Sequence, residues 1–279
     1  MRALFFGTSA FAVPSLRVVA AKTELAGVVT QPDRPAGRGQ KLVPTPVKAV
    51  ALELGLRVYE PLRLKPFVDE IAAEGPFDLF ALASYGKILP QALLDLPRLG
   101  ALNVHPSLLP RYRGATPIQT ALRNGDRETG VSIMLMDAGM DTGDLVLQES
   151  VTVADGETYG ALHDRLAEFG AELLGRAIDL AAAGPLPRRV QTGEPSVTTP
   201  IAKEDLIVDL QWPPERVVRT VRAFSPQPGA RAEIEGERVK ILQAHVERGE
   251  LVLDEVIAPN RGRMSGEAYL QSRRAKGHV

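Results

Sequence analysis

The residues best equipped for chemistry in this chain crowd between Gly100 and Gly143, and the centre of the stretch is Asn103-Val104-His105-Pro106-Ser107-Leu108-Leu109-Pro110. The lead-in Gly100-Ala101-Leu102 reads as the end of a buried strand. Side chains alternate along a strand, so Asn103 and His105 point one way and Val104 the other. Pro106 and Pro110 cannot donate to a strand ladder, so the strand stops at about His105 and leaves an amide and an imidazole together at its carboxyl edge. In open α/β sheets ligands sit at that edge. A second apolar run, Val131 to Leu135, leads into Met136-Asp137-Ala138-Gly139-Met140-Asp141-Thr142-Gly143-Asp144, a loop able to bring an acid to the same place. An amide donor, an imidazole and a carboxylate at one point suit acyl transfer: donors for a developing oxyanion, a proton shuttle, and a group that orients and charges the shuttle. No Ser or Cys is required as nucleophile. Each residue alone also has a bland reading. A single Asn or His at a strand end is ordinarily hydrogen-bonded into the structure. Asp137, Asp141 and Asp144 are equally suited to capping turns, and spacing does not separate the two readings.

The composite pattern is more specific than its parts. Asn103-x-His105-x-Ser107-Leu108-Leu109-Pro110, then Arg111-Tyr112-Arg113-Gly114, then Asp137-Ala138-Gly139-Met140-Asp141-Thr142-Gly143, closely resembles the signature of the folate-dependent formyltransferases. The resemblance implies that Asn103, His105 and Asp141 are the catalytic trio. It also implies that 10-formyltetrahydrofolate is the formyl donor and that Ser107, Leu108, Leu109 and Pro110 lie along it.

The elements that must position these residues alternate as strand, turn and helix. Ala3 to Phe6 is a first strand, Phe11 to Ala21 a helix, Leu25 to Thr30 a second strand, Pro66 to Ala73 a helix, and Asp78 to Ala83 a buried parallel strand ending at Ser84-Tyr85-Gly86-Lys87. Ala115 to Arg123 is a helix that Asn124-Gly125 ends, and Thr158 to Ala183 is the longest helix, with apolar residues at helical spacing. The fold expected is α/β: an N-terminal Rossmann-like, mostly parallel sheet with helices on both faces. No G-x-G-x-x-G follows the first strand, which argues against a nicotinamide cofactor.

Between them lies Gln31 to Lys48, where four prolines and two glycines argue against regular structure and Arg34, Arg38, Lys41 and Lys48 outnumber the lone acid Asp33. Composition alone leaves a solvated loop as likely as a functional one. The loop resembles the insertion that marks the methionyl-tRNA branch of the family, where it meets the acceptor stem of the initiator tRNA. That resemblance implies tRNA binding by Arg34, Arg38 and Lys41, with initiator methionyl-tRNA as partner. The rival acceptors are a ribonucleotide amine, an amino sugar, or water in simple hydrolysis of formyltetrahydrofolate. A folate- or RNA-binding module without catalysis is the reading from outside the enzymes.

After Gly184-Pro185-Leu186-Pro187 the character changes. A Thr/Pro-rich run to Pro200 looks like a linker, and short runs from Arg231 onward, separated by Glu235-Gly236 and Arg248-Gly249, form a hairpin-rich β pattern. The boundaries expected are a catalytic domain over 1–184, a linker over 185–202 and a C-terminal β-barrel-like tRNA-binding domain over 203–279. The resemblance implies an OB-like barrel there, and the quick passage from His245 through Val252 to Arg273, Arg274 and Lys276 puts its completeness in doubt.

Composition bounds the rest. A chain of 279 residues, 44% apolar and 24% charged, is long enough for two globular cores. Its net charge of −1 advertises no partner. Without cysteine there are no disulfides or thiolate chemistry, and His105, His163, His245 and His278 lack ligand spacing, so no metal is expected. With no apolar span of membrane length, a cytoplasmic protein free of the membrane is expected, and a monomer.

Overall fold

The computed structural model describes residues 1–36 and 41–274. The chain runs β1 (Arg2–Gly7), α1 (Val13–Lys22), β2 (Glu24–Val29), β3 (Arg34–Ala36), β4 (Lys41–Val43), α2 (Pro46–Glu53), β5 (Val58–Tyr59), α3 (Leu64–Glu74), β6 (Leu79–Ala83), α4 (Gln91–Leu94) and β7 (Ala101–His105). It continues with β8 (Arg113–Gly114), α5 (Pro117–Asn124), β9 (Glu128–Leu135), β10 (Leu145–Thr152), α6 (Tyr159–Ala183) and β11 (Val197–Thr198). The last elements are α7 (Pro214–Phe224), β12 (Ala230–Ile234), β13 (Glu237–Glu247), β14 (Glu250–Ala258), β15 (Gly262–Ser265) and α8 (Gly266–Arg274). Packing divides them into two compact units, one of residues 1–113, 130–151 and 164–197, the other of 114–129, 152–163 and 198–279.

The first unit is built on a seven-stranded sheet of order β10-β9-β7-β6-β1-β2-β5. β1 pairs in parallel with β2 and β6, β2 with β5, and β6 with β7, whereas β7 and β9 are antiparallel. The order reverses between β1 and β6, and in open α/β sheets ligands bind beyond the carboxyl ends of the strands at such a switch point. β1 and β6 are buried along almost their whole length, which is why they read as continuous apolar runs. On one face, Leu4, Phe6, Phe80, Leu82 and Ala101 form a cluster with Leu64, Phe67 and Ile71 of α3 and Leu93 of α4. Val104 points to the opposite face, where α6 lies so close that a Cβ at Gly170 would stand 2.7 Å from the Val104 Cγ1 and 3.5 Å from that of Val131. Helices therefore cover both faces, and the alternation expected at Asn103, Val104 and His105 holds.

One stretch differs from expectation. Gln31 to Lys48 contains regular structure after all: β3 and β4 form an antiparallel ribbon with Arg34 opposite Val43 and Pro35 opposite Leu42. A two-stranded ribbon leaves one edge of each strand unpaired, so a proline without an N–H is tolerated there. Pro46 then sits in the first turn of α2, where the Thr45 hydroxyl caps the Lys48 amide at 3.1 Å.

The second unit carries the expected C-terminal antiparallel β domain, whose completeness as a barrel is the point in doubt. Its sheet is an antiparallel meander of order β12-β13-β14-β15, and among the described residues no pairing joins the edge strands β12 and β15. Outside β12 the segment at Ile207 adds a parallel bridge to Arg231, so the sheet gains a further edge partner without a closing pair among the described residues. Val217, Val221 and Phe224 form the apolar stripe of α7 and pack with Ala232, Ile234, Val239, Ile241, Val256 and Tyr269. Lys276 lies outside the described residues, and residues Gly266–Arg274 fold as α8. Its Arg273 is buried and donates from Nε to Glu235 at 2.9 Å and from Nη1 to Glu237 at 2.8 Å, so it holds the helix to the β12–β13 hairpin.

The close approach of α6 to β7 makes a prediction. Gly170→Val adds three carbons where a first one already meets Val104, and overpacking of this kind costs roughly 1–3 kcal/mol. Urea melts should show the loss, and an unchanged midpoint would mean that helix and strand do not pack this tightly.

Candidate active site

Pro106 ends β7 one residue past His105, leaving that ring 4% exposed at the strand's carboxyl edge. The ring Nε2 lies 2.9 Å from the Tyr112 carbonyl oxygen. A carbonyl only accepts, so Nε2 carries the proton and donates. The second nitrogen, Nδ1, faces the Asp141 carboxylate with Oδ2 at 3.7 Å. That is ion-pair distance, too long for a direct hydrogen bond and short enough for strong Coulomb attraction when both groups are charged. Asn103 stands two residues back on the same strand face, about 7 Å away along the strand, half-buried in register with Leu82 and Met134. Imidazole and carboxylate, 36 positions apart in sequence, are thus brought together with an amide on the same face.

The acid's position is built by its loop. Asp141 adopts a left-handed conformation, φ 54°. Next to it, any Cβ at Gly143 would collide with the Leu135 carbonyl oxygen, so only glycine lets the loop fold back on the end of β9. The Asp137 carboxylate accepts from the Gly139 amide at 3.0 Å and from the Thr142 hydroxyl at 2.6 Å. Asp137 is therefore the turn-forming acid and Asp141 the one that faces the ring, a separation that spacing alone leaves open.

The Ser107-Leu108-Leu109-Pro110 turn is held from beneath. Ser107 is fully buried and its hydroxyl donates to the Arg111 carbonyl at 2.6 Å. The buried Ser132 hydroxyl donates to the Ser107 carbonyl at 2.7 Å and accepts from the Leu109 amide at 3.2 Å, while Gln148 Nε2 donates to the Leu109 carbonyl at 2.9 Å. Leu109 packs with Met134 and Leu145, Pro110 is buried, and Leu108 is left half-exposed. Ser132 and Gln148 give no sequence signal of this role beyond being polar residues in apolar strands, the pattern that marks a buried hydrogen-bond partner.

The basic candidates are placed differently. Arg34 is exposed and donates to Gln31 Oε1 at 2.6 Å, and Gln31 in turn donates to the Tyr85 carbonyl at 2.9 Å, so the ribbon is tied to the turn after β6. Arg38 lies outside the described residues. For Lys41 the backbone is described, paired with Ala36 in the ribbon. Lys48, counted with the basic residues from sequence, is taken up by Asp33 at 2.8 Å and Glu60 at 2.9 Å. Among the described residues no group of three or more His, Asp or Glu side chains is arranged to hold a metal ion, and no helix is long and apolar enough to cross a membrane.

Tyr85 is buried against Phe6, and its hydroxyl has no hydrogen-bond partner among the described residues. Burial pushes its phenol up to about 12. An acid whose folded-state pKa is raised contributes stability that is complete below the unfolded value, near 10 for tyrosine, and is lost as pH climbs through the folded value. Tyr85→Phe should therefore melt within about 1 kcal/mol of the wild type at neutral pH and should lose less stability than the wild type as pH rises past about 10. Superimposable alkaline melting profiles would show that solvent reaches the phenol.

Comparison with known proteins identifies the family. Residues 1–178 match the formyl transferase family model and residues 200–258 the model of the formyl transferase C-terminal domain. A methionyl-tRNA formyltransferase of Geobacter sulfurreducens is 45% identical over 250 residues, covering 88% of this chain and 78% of that protein. Among solved structures, a methionyl-tRNA formyltransferase from Clostridium thermocellum superposes with a TM-score of 0.63 at 15% identity over 93% of this chain and 100% of the other. HypX from Aquifex aeolicus in complex with tetrahydrofolic acid superposes with a TM-score of 0.65 at 19% identity over 99% of this chain and 48% of the other. A match over most of the chain, at this identity and with this site, places the protein in the formyl transferase family.

Proposed function

We propose that the protein transfers the formyl group of 10-formyltetrahydrofolate to the α-amino group of initiator methionyl-tRNA, giving N-formylmethionyl-tRNA. The observation that carries this reading is the pairing of His105 Nδ1 with Asp141 at 3.7 Å while Nε2 is committed to a backbone carbonyl. The residues present fit a folate. The half-exposed Leu108 on a rigid turn and the unpartnered Tyr85 hydroxyl belong to the turns after β7 and β6, at the carboxyl edge of the sheet. Ser107, Leu108, Leu109 and Pro110 would hold it. Bound, it supplies the formyl carbon that the amine attacks.

Asn103 and the Nδ1–H of a protonated His105 donate to the oxyanion that forms as the new C–N bond is made. Asp141 balances the imidazolium charge and takes the amine's surplus proton, directly or through water. His105 and Asp141 then hold that proton for the folate nitrogen, which needs it when its bond to the formyl carbon breaks. The balance closes without redox chemistry or a covalent enzyme intermediate. Residues 1–184 carry this chemistry in the proposal, and residues 203–279 add surface for the tRNA. Arg34 and Arg38 meet the acceptor with guanidinium groups that form forked hydrogen bonds to phosphate and stack on unpaired bases, and Lys41 adds an ammonium charge toward phosphate. The protein acts as a cytoplasmic monomer.

The deciding assay follows tetrahydrofolate release with initiator methionyl-tRNA, elongator methionyl-tRNA, a ribonucleotide amine, an amino sugar and no acceptor, side by side. Release driven best by initiator methionyl-tRNA is the expected result, and a preference for another acceptor would replace the reading. Asp141→Asn should fold normally and lower kcat on the order of 10²-fold or more, and undiminished turnover would remove the acid from the mechanism. Arg38→Ala should weaken use of the tRNA and spare slow hydrolysis of formyltetrahydrofolate, whereas equal loss of both activities would move Arg38 to the folate site or the fold.

A further inference from the structure

The stretch read from sequence as a linker is bonded along the first unit. Arg189 pairs through both backbone groups with Leu145, at 2.8 and 3.0 Å. Two residues on, Gln191 uses its whole amide. Nε2 donates to the Asp141 carbonyl at 2.9 Å and to the Gly143 carbonyl at 2.8 Å, and Oε1 accepts from Arg113 Nε at 3.2 Å and Nη2 at 2.7 Å. The orientation is forced, because a flipped amide would set its oxygen against two carbonyls and its N–H groups against a guanidinium. Five residues later Ser196 works on the other side. Its hydroxyl accepts from the Tyr112 amide at 2.9 Å, its carbonyl accepts from the Arg113 amide at 2.9 Å, and its amide donates to Pro110 at 3.2 Å.

These two grips end at the two nitrogens of one ring. Tyr112, in a left-handed conformation at φ 59°, carries the carbonyl that fixes His105 Nε2, and Asp141, also left-handed at φ 54°, carries the carboxylate that faces Nδ1. Left-handed backbone is disfavoured for residues with a Cβ, so both positions depend on being held. We propose that residues 189–197 act as a strap that sets the His105–Asp141 geometry, with Gln191 as the positioning residue for the acid and Ser196 for the Tyr112 carbonyl. Gln191 touches no reacting atom. It acts through the loop, and its effect presupposes the role proposed for Asp141.

The test uses the full chain with Gln191→Ala and Gln191→Glu, alone and combined with Asp141→Asn. Glu keeps the size and the acceptor for Arg113 but turns oxygen toward both carbonyls, so it should behave like Ala and not like the wild type. Each single variant should lower kcat roughly 10- to 100-fold, leave KM for both substrates within about threefold, and cost nothing further once Asp141 is Asn. A loss that multiplies with that of Asp141→Asn, a kcat near the wild-type value, or full rescue by Glu would each overturn the proposal. The ring nitrogen NMR signals of His105 give a readout independent of the acceptor. In Gln191→Ala they should depart from their wild-type positions toward those of Asp141→Asn, and signals left in place would sink the strap even if formyl transfer to methionyl-tRNA stands. A wild-type protein inactive on methionyl-tRNA would refute the acceptor assignment and leave this signal to decide the strap.

Discussion

A histidine with only one nitrogen free is the constraint on which the site depends. The Tyr112 carbonyl takes Nε2, so whatever chemistry the ring performs passes through Nδ1, and Nδ1 looks at Asp141. Neither partner lies near His105 by accident of sequence. Tyr112 is seven residues on and reaches back because Pro106 and Pro110 bend the chain, while Asp141 arrives from the far side of β9. A buried imidazole needs its hydrogen-bonding capacity satisfied, and here a backbone carbonyl at 2.9 Å and a carboxylate at 3.7 Å satisfy it unequally.

Much of the surrounding structure keeps these two partners still. The pleat of β7 sends Asn103 and His105 to one face and Val104 to the other, where Gly170 lets α6 press directly onto the strand. Beneath the turn after β7, Ser132 serves three hydrogen bonds from a fully buried position, and with Gln148 it satisfies much of the turn's backbone. Above it, residues 189–197 clasp the same turn and the acid's loop. A strand thus supplies the imidazole and amide, and a hydrogen-bonded loop supplies the acid.

The second unit obeys different demands. Its core is small, four strands with α7 and α8, and the buried Arg273 ties α8 to Glu235 and Glu237 at the β12–β13 hairpin. Removing either carboxylate leaves the buried guanidinium short of a partner, so α8 is part of the unit's packing.

Local patterning determined a good deal by itself. Continuous apolar runs placed β1 and β6, prolines marked the end of β7, the Asn124-Gly125 pair ended α5 with Gly125 at φ 74°, and the period-two rule put Asn103 and His105 on one face. These follow from backbone sterics and burial, which act over a few residues. The ribbon at Arg34–Val43 was not legible, because prolines forbid interior strands and only the tertiary setting shows that both strands are edges. Nor was the separation of Asp137 from Asp141, the capture of Lys48 by Asp33 and Glu60, or the grip of Gln191 on a loop about fifty positions away. Each is a choice among partners distant in sequence. A hydrogen bond or ion pair is decided by angstroms between groups that only the folded sheet brings near, and no spacing rule along the chain contains that distance.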